Sequence, residues 1–316
     1  MTLDCNGIKL QKGSKGDKVK QAQTILQQHG FYGGKIDGDY GEMTVEAVTK
    51  YQRSKGLSVD GWIGPVTCKS LNNISQTETA SNTIMPFEKI KGVKFMKAEI
   101  LKAASTFRTH IHNNKNYPNY IKMQGSDGRF YNVGRTAYMG IFEDVSIFNL
   151  KNGRLPNYVV ATSTANNPLV IDYQNNGYNC GPTSFSMCFQ MLAEWISEPT
   201  LAREMGTNRD GTSPSTMQWC AKQHGYTLEV IERNKTAVKK ALDEGSPVLM
   251  HIHTSYSGGR SCLGYYGSYG HYVMCYGYTG DYYLIADPTK GFKKCSATSI
   301  DNARSSTNMK YYKLVP

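Results

Sequence analysis

The sequence of 316 residues lacks several features that would define its class at once. It has no apolar run near the roughly 18 to 20 residues that a membrane-spanning helix needs, so an integral membrane protein is not expected. Its first residues show no basic segment followed by an apolar one, and so no signal peptide is expected either. The prediction is a protein made in the cytoplasm that needs another route to any target outside the cell.

The sequence also lacks C-x-x-C pairs and a closely spaced disulfide framework. A chain of this length can build its own hydrophobic cores, and we therefore expect mostly free, buried thiols in a reducing cytoplasm. The eight cysteines are Cys5, Cys68, Cys180, Cys188, Cys220, Cys262, Cys275 and Cys295.

What the chain does have is a net charge of +11, concentrated in its middle. Residues 76–160 contain 12 basic and 6 acidic side chains. A basic face attracts polyanions such as nucleic acid, acidic lipid or an anionic cell wall. The sequence has no Lys/Arg run, helix-turn-helix signature or RNA-binding signature, so a nucleic-acid partner is not expected. Much of this charge is also compatible with an ordinary solvated surface.

An internal repeat marks the first segment. The pattern D-G-x-x-G-x-x-T occurs at residues 37–44 and again at 60–67. Each copy predicts a glycine-containing turn that leads into a helix, because glycine adopts backbone angles that other residues disfavour. Helical spacing of apolar residues before and between the copies predicts a small three-helix unit within residues 1–72.

This segment resembles the peptidoglycan-binding domain type 1 family. The resemblance implies attachment to a cell wall, whereas the alternative is that the Gly and Asp residues only shape turns. It is carried by Leu10-x-x-Gly13-Ser14-x-Gly16-x-x-Val19, Ile36-Asp37-Gly38, Ala47-Val48-x-x-Tyr51-Gln52 and Val59-Asp60-Gly61-x-x-Gly64-Pro65-x-Thr67. Residues 73–86, rich in Ser, Thr and Asn and ending in proline, predict a linker.

A second repeat occupies residues 87–160. Pro118-Asn119-Tyr120-Ile121 reappears as Pro156-Asn157-Tyr158-Val159, and each copy follows a stretch with helical spacing. This predicts a repeated unit of helix, turn and strand. The stretches 113–120 and 152–159 resemble the pseudomurein-binding repeat of methanogen wall enzymes, which implies a wall-binding middle module.

Cys180 differs from the other cysteines because it opens a predicted helix. Proline is accommodated in the first helical turn, so Pro182 places Cys180 at the helix start, and Phe185 and Phe189 continue the apolar periodicity. The N-terminal end of a helix stabilises a thiolate. Cys180 is therefore a candidate nucleophile, whereas Cys188 inside the helix is interpreted as a core residue.

The candidate base and its partner lie on a predicted hairpin. With the turn centred near Gly280, residue 289 falls opposite His271, and Asp287 lies within two residues of that position. A thiolate nucleophile needs such a base, and the base needs an orienting group. Gln174, six residues before Cys180, is the candidate side-chain donor for the oxyanion.

The order Gln, Cys, His, Asp resembles that of papain-like peptidases, especially the transglutaminase-like and bacteriocin-processing branches. Together with the Pro-Asn-Tyr repeats it resembles the pseudomurein endoisopeptidases. This resemblance implies that Cys180 attacks a carbonyl, His271 protonates the departing amine, Asp287 orients His271 and Gln174 stabilises the oxyanion. It also implies cleavage of the ε-isopeptide Ala–Lys crosslink of pseudomurein, and a methanogen virus or provirus as the source.

The predicted architecture is therefore multidomain α+β. It comprises a three-helix wall-binding domain (1–72), a linker (73–86), a helix/strand module that resembles the pseudomurein-binding repeat (87–160) and a papain-like, transglutaminase-like catalytic domain (161–316). The expected partner is the pseudomurein wall and the expected state is a monomer. The chemistry requires no cofactor and no metal, and stimulation by divalent cations is left open.

Three alternatives remain at this point. His251-x-His253 places two imidazoles on one strand face, as in some zinc sites, although no further ligand stands at a telling spacing. A second alternative is a cysteine peptidase that acts on the stem peptides of bacterial peptidoglycan. The third is a non-catalytic wall-binding protein in which the Cys, His and Asp set is vestigial.

Overall fold

The computed structural model describes residues 3–28, 31–77, 84–254, 262–267, 269–302 and 309–316. The chain divides into two compact units, Met1–Thr83 and Ile84–Pro316. None of the helices in these described ranges combines the length and the apolar character that crossing a membrane requires.

The first unit contains three helices: α1 (Asp17–Gln28), α2 (Glu42–Ser54) and α3 (Pro65–Thr77). Their apolar faces enclose a core that includes fully buried Leu26, Tyr40 and Tyr51. The structure thus contains the predicted three-helix unit. The last helix continues to Thr77, into the segment predicted as a linker, and residues 78–83 of that segment lie outside the described residues.

Two buried glutamines explain the repeated D-G pattern of this unit. The side-chain oxygen of Gln23 accepts the Gly38 N–H at 2.9 Å, and that of Gln52 accepts the Gly61 N–H at 2.9 Å. The side-chain nitrogen of Gln23 donates to Asp37, and that of Gln52 donates to Asp60. Both glycines have positive φ, of +77° and +72°. The repeat therefore has a structural cause, since each helix holds one turn through one buried amide.

The repeated unit predicted in the middle segment is also present. The first copy comprises β1 (Lys94–Met96), α4 (Lys97–Asn114) and β2 (Tyr120–Gln124). The second comprises β3 (Phe130–Gly134), α5 (Arg135–Asn152) and β4 (Tyr158–Val160). Both helices have 18 residues, and both end at a residue in the left-handed conformation.

Each strand of one copy pairs with a strand of the other copy. Strand β1 pairs with β4 and β2 pairs with β3, both antiparallel. Phe95 faces Val159 in the first pair, and Val133 faces Ile121 at the corresponding positions of the second. The start of each helix is held in the same way, by Lys97 N–H to the Asn157 carbonyl and by Arg135 N–H to the Asn119 carbonyl. The repeats are consequently related by an approximate two-fold axis.

The remainder of the second unit is an α+β arrangement around a six-stranded sheet. Antiparallel strands follow the order β5-β10-β6-β7-β8-β9. The helices are α6 (Cys180–Met191), α7 (Glu198–Glu204), α8 (Pro214–Gln223), α9 (Lys235–Asp243) and α10 (Ala297–Asp301). The strands are β5 (Thr227–Ile231), β6 (Val248–His253), β7 (Gly270–Thr279), β8 (Tyr282–Asp287), β9 (Gly291–Ser296) and β10 (Tyr311–Val315).

One hydrophobic core crosses the boundary that the sequence suggested at residue 160. Buried Phe107 and Phe142 of the repeats belong to the same core as Phe185 of α6. Trp195 packs edge-on against Phe142 and donates its indole N–H to Ser146 at 3.0 Å. The middle segment and the segment that carries Cys180 are therefore packed together as one folded body.

Candidate active site

Cys180 is the first residue of α6, and Pro182 lies in the first turn of that helix, as the sequence predicts. All residues of α6 after Cys180 are buried, so the helix is central to the fold, while Cys180 itself is only partly buried. The hydroxyl of Ser184, one turn further on, donates to the Tyr272 carbonyl at 3.0 Å. This bond attaches the helix to β7 one residue after His271.

The hairpin formed by β7 and β8 brings His271 and Asp287 together. The ladder pairs Met274 with Ala286, and its continuation in the same register places residue 289 opposite His271, as the turn position predicts. Asp287 is fully buried, and its Oδ1 lies 3.3 Å from Nε2 of His271.

Backbone amides hold the Asp287 carboxylate in place. The N–H groups of Thr289 and Lys290 donate to its Oδ1 at 2.8 and 3.1 Å. Hydrogen bonds to the charged form favour ionisation. Burial opposes ionisation of Asp287, but the hydrogen bond and charge of His271, together with the Thr289 amide, hold the pKa of Asp287 below its ordinary value.

His271 also interacts with Cys180, and this interaction raises the pKa of the imidazole. Because Nε2 faces Asp287, Nδ1 is the ring nitrogen left for the thiol. Burial lowers the pKa of His271, but bonding to Asp287 and Cys180 outweighs it and raises the pKa to about 9. Burial raises the pKa of Cys180, but His271 and the backbone of Tyr272 and Gly181 lower it overall. These shifts favour a thiolate–imidazolium pair near neutral pH.

A backbone hydrogen bond connects Gln174 to the segment that follows Asp287. Its N–H donates to the Pro288 carbonyl at 2.9 Å, directly after Asp287. Its side-chain amide donates to the Asn176 carbonyl in the same loop, and its buried Oε1 has no hydrogen-bond partner among the residues that the structure describes. An oxyanion role for Gln174 would require this amide to turn away from Asn176, and that role remains a prediction.

Two polar residues at this site were missed by the sequence reasoning. Tyr265 is buried and its hydroxyl contacts both His271 and Asp287. Glu198, at the start of α7, is 3% exposed and accepts the side-chain amides of Asn175 and Asn179. The asparagines shortly before Cys180 are the sequence feature that could have indicated the contact with Glu198.

The expectation of mostly free thiols is wrong for half of the cysteines. Disulfides join Cys5 to Cys68 and Cys262 to Cys295. Both pairs are distant in sequence, so spacing alone does not indicate them. The free cysteines of the structure are Cys180, Cys188, Cys220 and Cys275, and all except Cys180 are buried. Burial raises the pKa of Cys188, in keeping with its interpretation as a core residue.

The histidine pair considered for zinc does not gain further ligands within the described ranges. His251 stacks on Tyr272, with ring centroids 4.2 Å apart, and burial lowers its pKa to about 4. His253 is buried on the same strand. The group of three possible metal ligands found in the described part of the chain is a different one: Glu204, Cys220 and His224.

Comparison with known proteins divides the chain in a similar way. A family model of a peptidoglycan binding domain matches residues 15–71, and the model of the peptidase C39-like family matches residues 167–314.

Curated relatives match over short stretches. A protein named probable N-acetylmuramoyl-L-alanine amidase, from Bacillus licheniformis, is 44% identical over 75 residues, which are 22% of this chain and 21% of that protein. The spore cortex-lytic enzyme of Halalkalibacterium halodurans is 48% identical over 56 residues, covering 18% of this chain and 17% of that enzyme. The chain thus spans only about a fifth of the length of these relatives.

Among solved structures, the peptidase domain of Streptococcus ComA, a bi-functional ABC transporter, is similar at 20% identity and a TM-score of 0.36, covering 46% of this chain and 97% of that domain. From the two family matches and the mixed helix and strand content, this chain contains a helical peptidoglycan-binding type 1 domain and a C39-like, papain-like α+β cysteine peptidase domain.

Proposed function

We propose that the chain is a wall-lytic cysteine endopeptidase in which Cys180, His271 and Asp287 form the catalytic triad. The observation that carries this proposal is the partly buried thiol at the start of α6, whose pKa is lowered by His271, together with the buried carboxylate that orients this histidine. A cell-wall-binding domain in the same chain supports a wall polymer as the substrate.

The reaction follows the chemistry of thiol acyl transfer. The Cys180 thiolate attacks the carbonyl carbon of a crosslink, and negative charge moves to the carbonyl oxygen. Collapse of this intermediate breaks the C–N bond, and His271 gives its Nδ1 proton to the departing amine. A water molecule, deprotonated by His271, then hydrolyses the thioester. The products are a carboxylate and the free Cys180 thiolate, and no cofactor enters the balance.

Two wall polymers are candidates for the substrate. The Pro-Asn-Tyr repeats support pseudomurein, with the ε-isopeptide Ala–Lys link as the bond that is cut. The peptidoglycan-binding domain, and relatives named as an amidase and cortex-lytic enzymes, favour the stem peptides of bacterial peptidoglycan instead. We propose pseudomurein as the first candidate, because the resemblance to the pseudomurein-binding repeat occurs at both copies in the middle segment, residues 113–120 and 152–159.

The disulfides bear on where the enzyme acts. Disulfides persist in oxidising surroundings rather than in a reducing cytoplasm. The two disulfides, Cys5–Cys68 and Cys262–Cys295, therefore support a site of action outside the cytoplasm, such as a cell wall.

The test measures clearing of purified sacculi of both wall types by wild type, Cys180→Ala and Cys220→Ala. Cys220 is a matched control because it is also a free thiol but is buried, with a pKa raised to about 12 by burial and by Glu204. We expect wild type and Cys220→Ala to clear pseudomurein and release new Lys ε-amines, and Cys180→Ala to lose about 1,000-fold or more.

If only the bacterial sacculi clear, the substrate is bacterial peptidoglycan rather than pseudomurein. Clearing of either wall at full rate by Cys180→Ala would overturn the mechanism, and binding by all three variants without clearing would leave a non-catalytic wall-binding protein.

A further inference from the structure

Among the groups that the reaction scheme does not use, Tyr265 stands closest to the reacting histidine. Its hydroxyl lies 3.0 Å from Nε2 of His271, and 2.8 and 2.9 Å from the two carboxylate oxygens of Asp287. The side chain is 7% exposed, and its ring lies edge-on to the imidazole at a centroid distance of 5.0 Å.

The distances argue for a bridge rather than a simple neighbour. Direct contact between Nε2 and Oδ1 is 3.3 Å, at the long end for a hydrogen bond, whereas both contacts of the phenol oxygen are shorter. A phenol is both donor and acceptor, so one hydroxyl can satisfy the imidazole N–H and the carboxylate at once.

The environment of the carboxylate indicates the direction of the bridge. Oδ1 of Asp287 already accepts two backbone amides, from Thr289 and Lys290. Among the described residues Oδ2 accepts only from the phenol. The arrangement that satisfies every group has Tyr265 donating to Oδ2 and accepting the Nε2 proton of His271.

We propose that Tyr265 is a positioning residue for the reaction, which bridges His271 to Asp287 and keeps the proton of the neutral ring on Nε2, so that Nδ1 can take up the proton of the Cys180 thiol. This inference deepens the proposed function and rests on it for its catalytic meaning. The disulfide from Cys262 to Cys295 on β9 anchors the segment that carries Tyr265.

The test follows the rate of Cys180 alkylation by iodoacetamide against pH, with both disulfides intact and Cys180→Ala as the blank. This rate depends on the fraction of Cys180 present as thiolate and needs no wall substrate. The assay therefore tests the role of Tyr265 even if the wall-lytic proposal fails. In Tyr265→Phe the imidazolium loses an acceptor at Nε2. We expect its acid limb to move up by about half a pH unit or more, and alkylation on that limb to slow about threefold or more.

Tyr283→Phe is the matched control. Tyr283 is a fully buried tyrosine that donates to both oxygens of Asp301, at 3.2 and 3.0 Å, with no histidine between them. It should lose stability without moving the pH profile. A Tyr265→Phe profile that superimposes on wild type, in folded protein, would overturn the proposal.

A measurement without substitution at Tyr265 covers the case in which Tyr265→Phe does not fold. In Cys180→Ala protein, the ring ¹⁵N shifts of His271 above its pKa should show the neutral tautomer protonated at Nε2. A neutral ring protonated at Nδ1 would overturn the proposal equally.

Discussion

Glu198→Gln is the substitution that best tests how the loop before Cys180 is held. Glu198 is 3% exposed, and its two oxygens accept one amide each from Asn175 and Asn179. A glutamine of the same shape can accept only one of these donors and points its own NH₂ at the other. Hydrogen bonds to charged groups contribute about 1.5–3 kcal/mol, so we expect a loss of about 2–3 kcal/mol in the stability of unit 84–316.

A neighbouring carboxyl makes this loss dependent on pH. Burial, and after it the charge of Glu198, raises the pKa of Asp172 from 3.8 to about 6. A raised carboxyl pKa favours the folded state at low pH, and this contribution disappears as pH rises through about 6. The shift in the pKa of Asp172 corresponds to about 3 kcal/mol. The charge of Glu198 supplies the smaller part of it, about 1 kcal/mol. At pH 7 Glu198→Gln removes this repulsion, so it should cost about 1 kcal/mol less than at pH 5.

Calorimetry of wild type and Glu198→Gln at pH 5 and pH 7 measures both effects. Glu204→Gln is the control, because Glu204 lies in the same helix but contacts His224 and Cys220 rather than the loop. Only Glu198→Gln should also slow Cys180 alkylation, by severalfold, because Asn179 directly precedes the nucleophile. An equal loss at both pH values would refute the Asp172 coupling, and no loss at either would refute the buried network.

Three further outcomes follow from other contacts. Gln52→Met leaves the Gly61 N–H of the second D-G turn without an acceptor, and should cost unit 1–83 about 2 kcal/mol and weaken sedimentation with sacculi; an unchanged calorimetric transition would contradict this. Asp287→Asn removes a charge that supports the His271 pKa of about 9, so the alkaline limb of the pH–activity profile should fall toward pH 7; a limb that stays near 9 would count against the assignment. Trp195→Phe loses the hydrogen bond to Ser146 and should lower the free energy of unfolding of unit 84–316 by about 1–2 kcal/mol, with the unit still unfolding in a single transition. A separate unfolding transition for the repeats would show that they form an independent domain.

The parts of the site that the sequence predicts are those fixed by local rules. The start of α6 follows from Pro182, which is accommodated only in a first helical turn. The proximity of His271 and Asp287 follows from the position of Gly280, because the turn of a hairpin sets the register of both strands. Next to the turn the observed ladder is one residue off this register, with Thr279 opposite Tyr282. The irregularity between Cys275 and Gly277 shifts it to the predicted register, in which Met274 faces Ala286.

The parts that the sequence does not predict depend on contacts between distant segments. Tyr265 lies in a region with many tyrosines, and nothing in the local pattern selects one that is buried against Asp287. The partner of Cys5 is 63 residues away, a distance at which spacing carries no information about pairing. The shared core of Phe142 and Phe185 was equally hidden, since apolar periodicity identifies a buried face but not what covers it.

Three hydrogen-bonded connections that take no part in the reaction place the nucleophile and the base. Ser184 joins α6 to β7, the Gln174 amide joins the loop before Cys180 to the segment after Asp287, and Glu198 holds that loop from α7. All three act on the position of Cys180 relative to one histidine, so their effects on the thiolate are coupled rather than independent. Combining Glu198→Gln with Ser184→Ala should therefore change Cys180 alkylation by a factor different from the product of the single effects. Simple multiplication of the two would mean that helix and loop position the thiol separately.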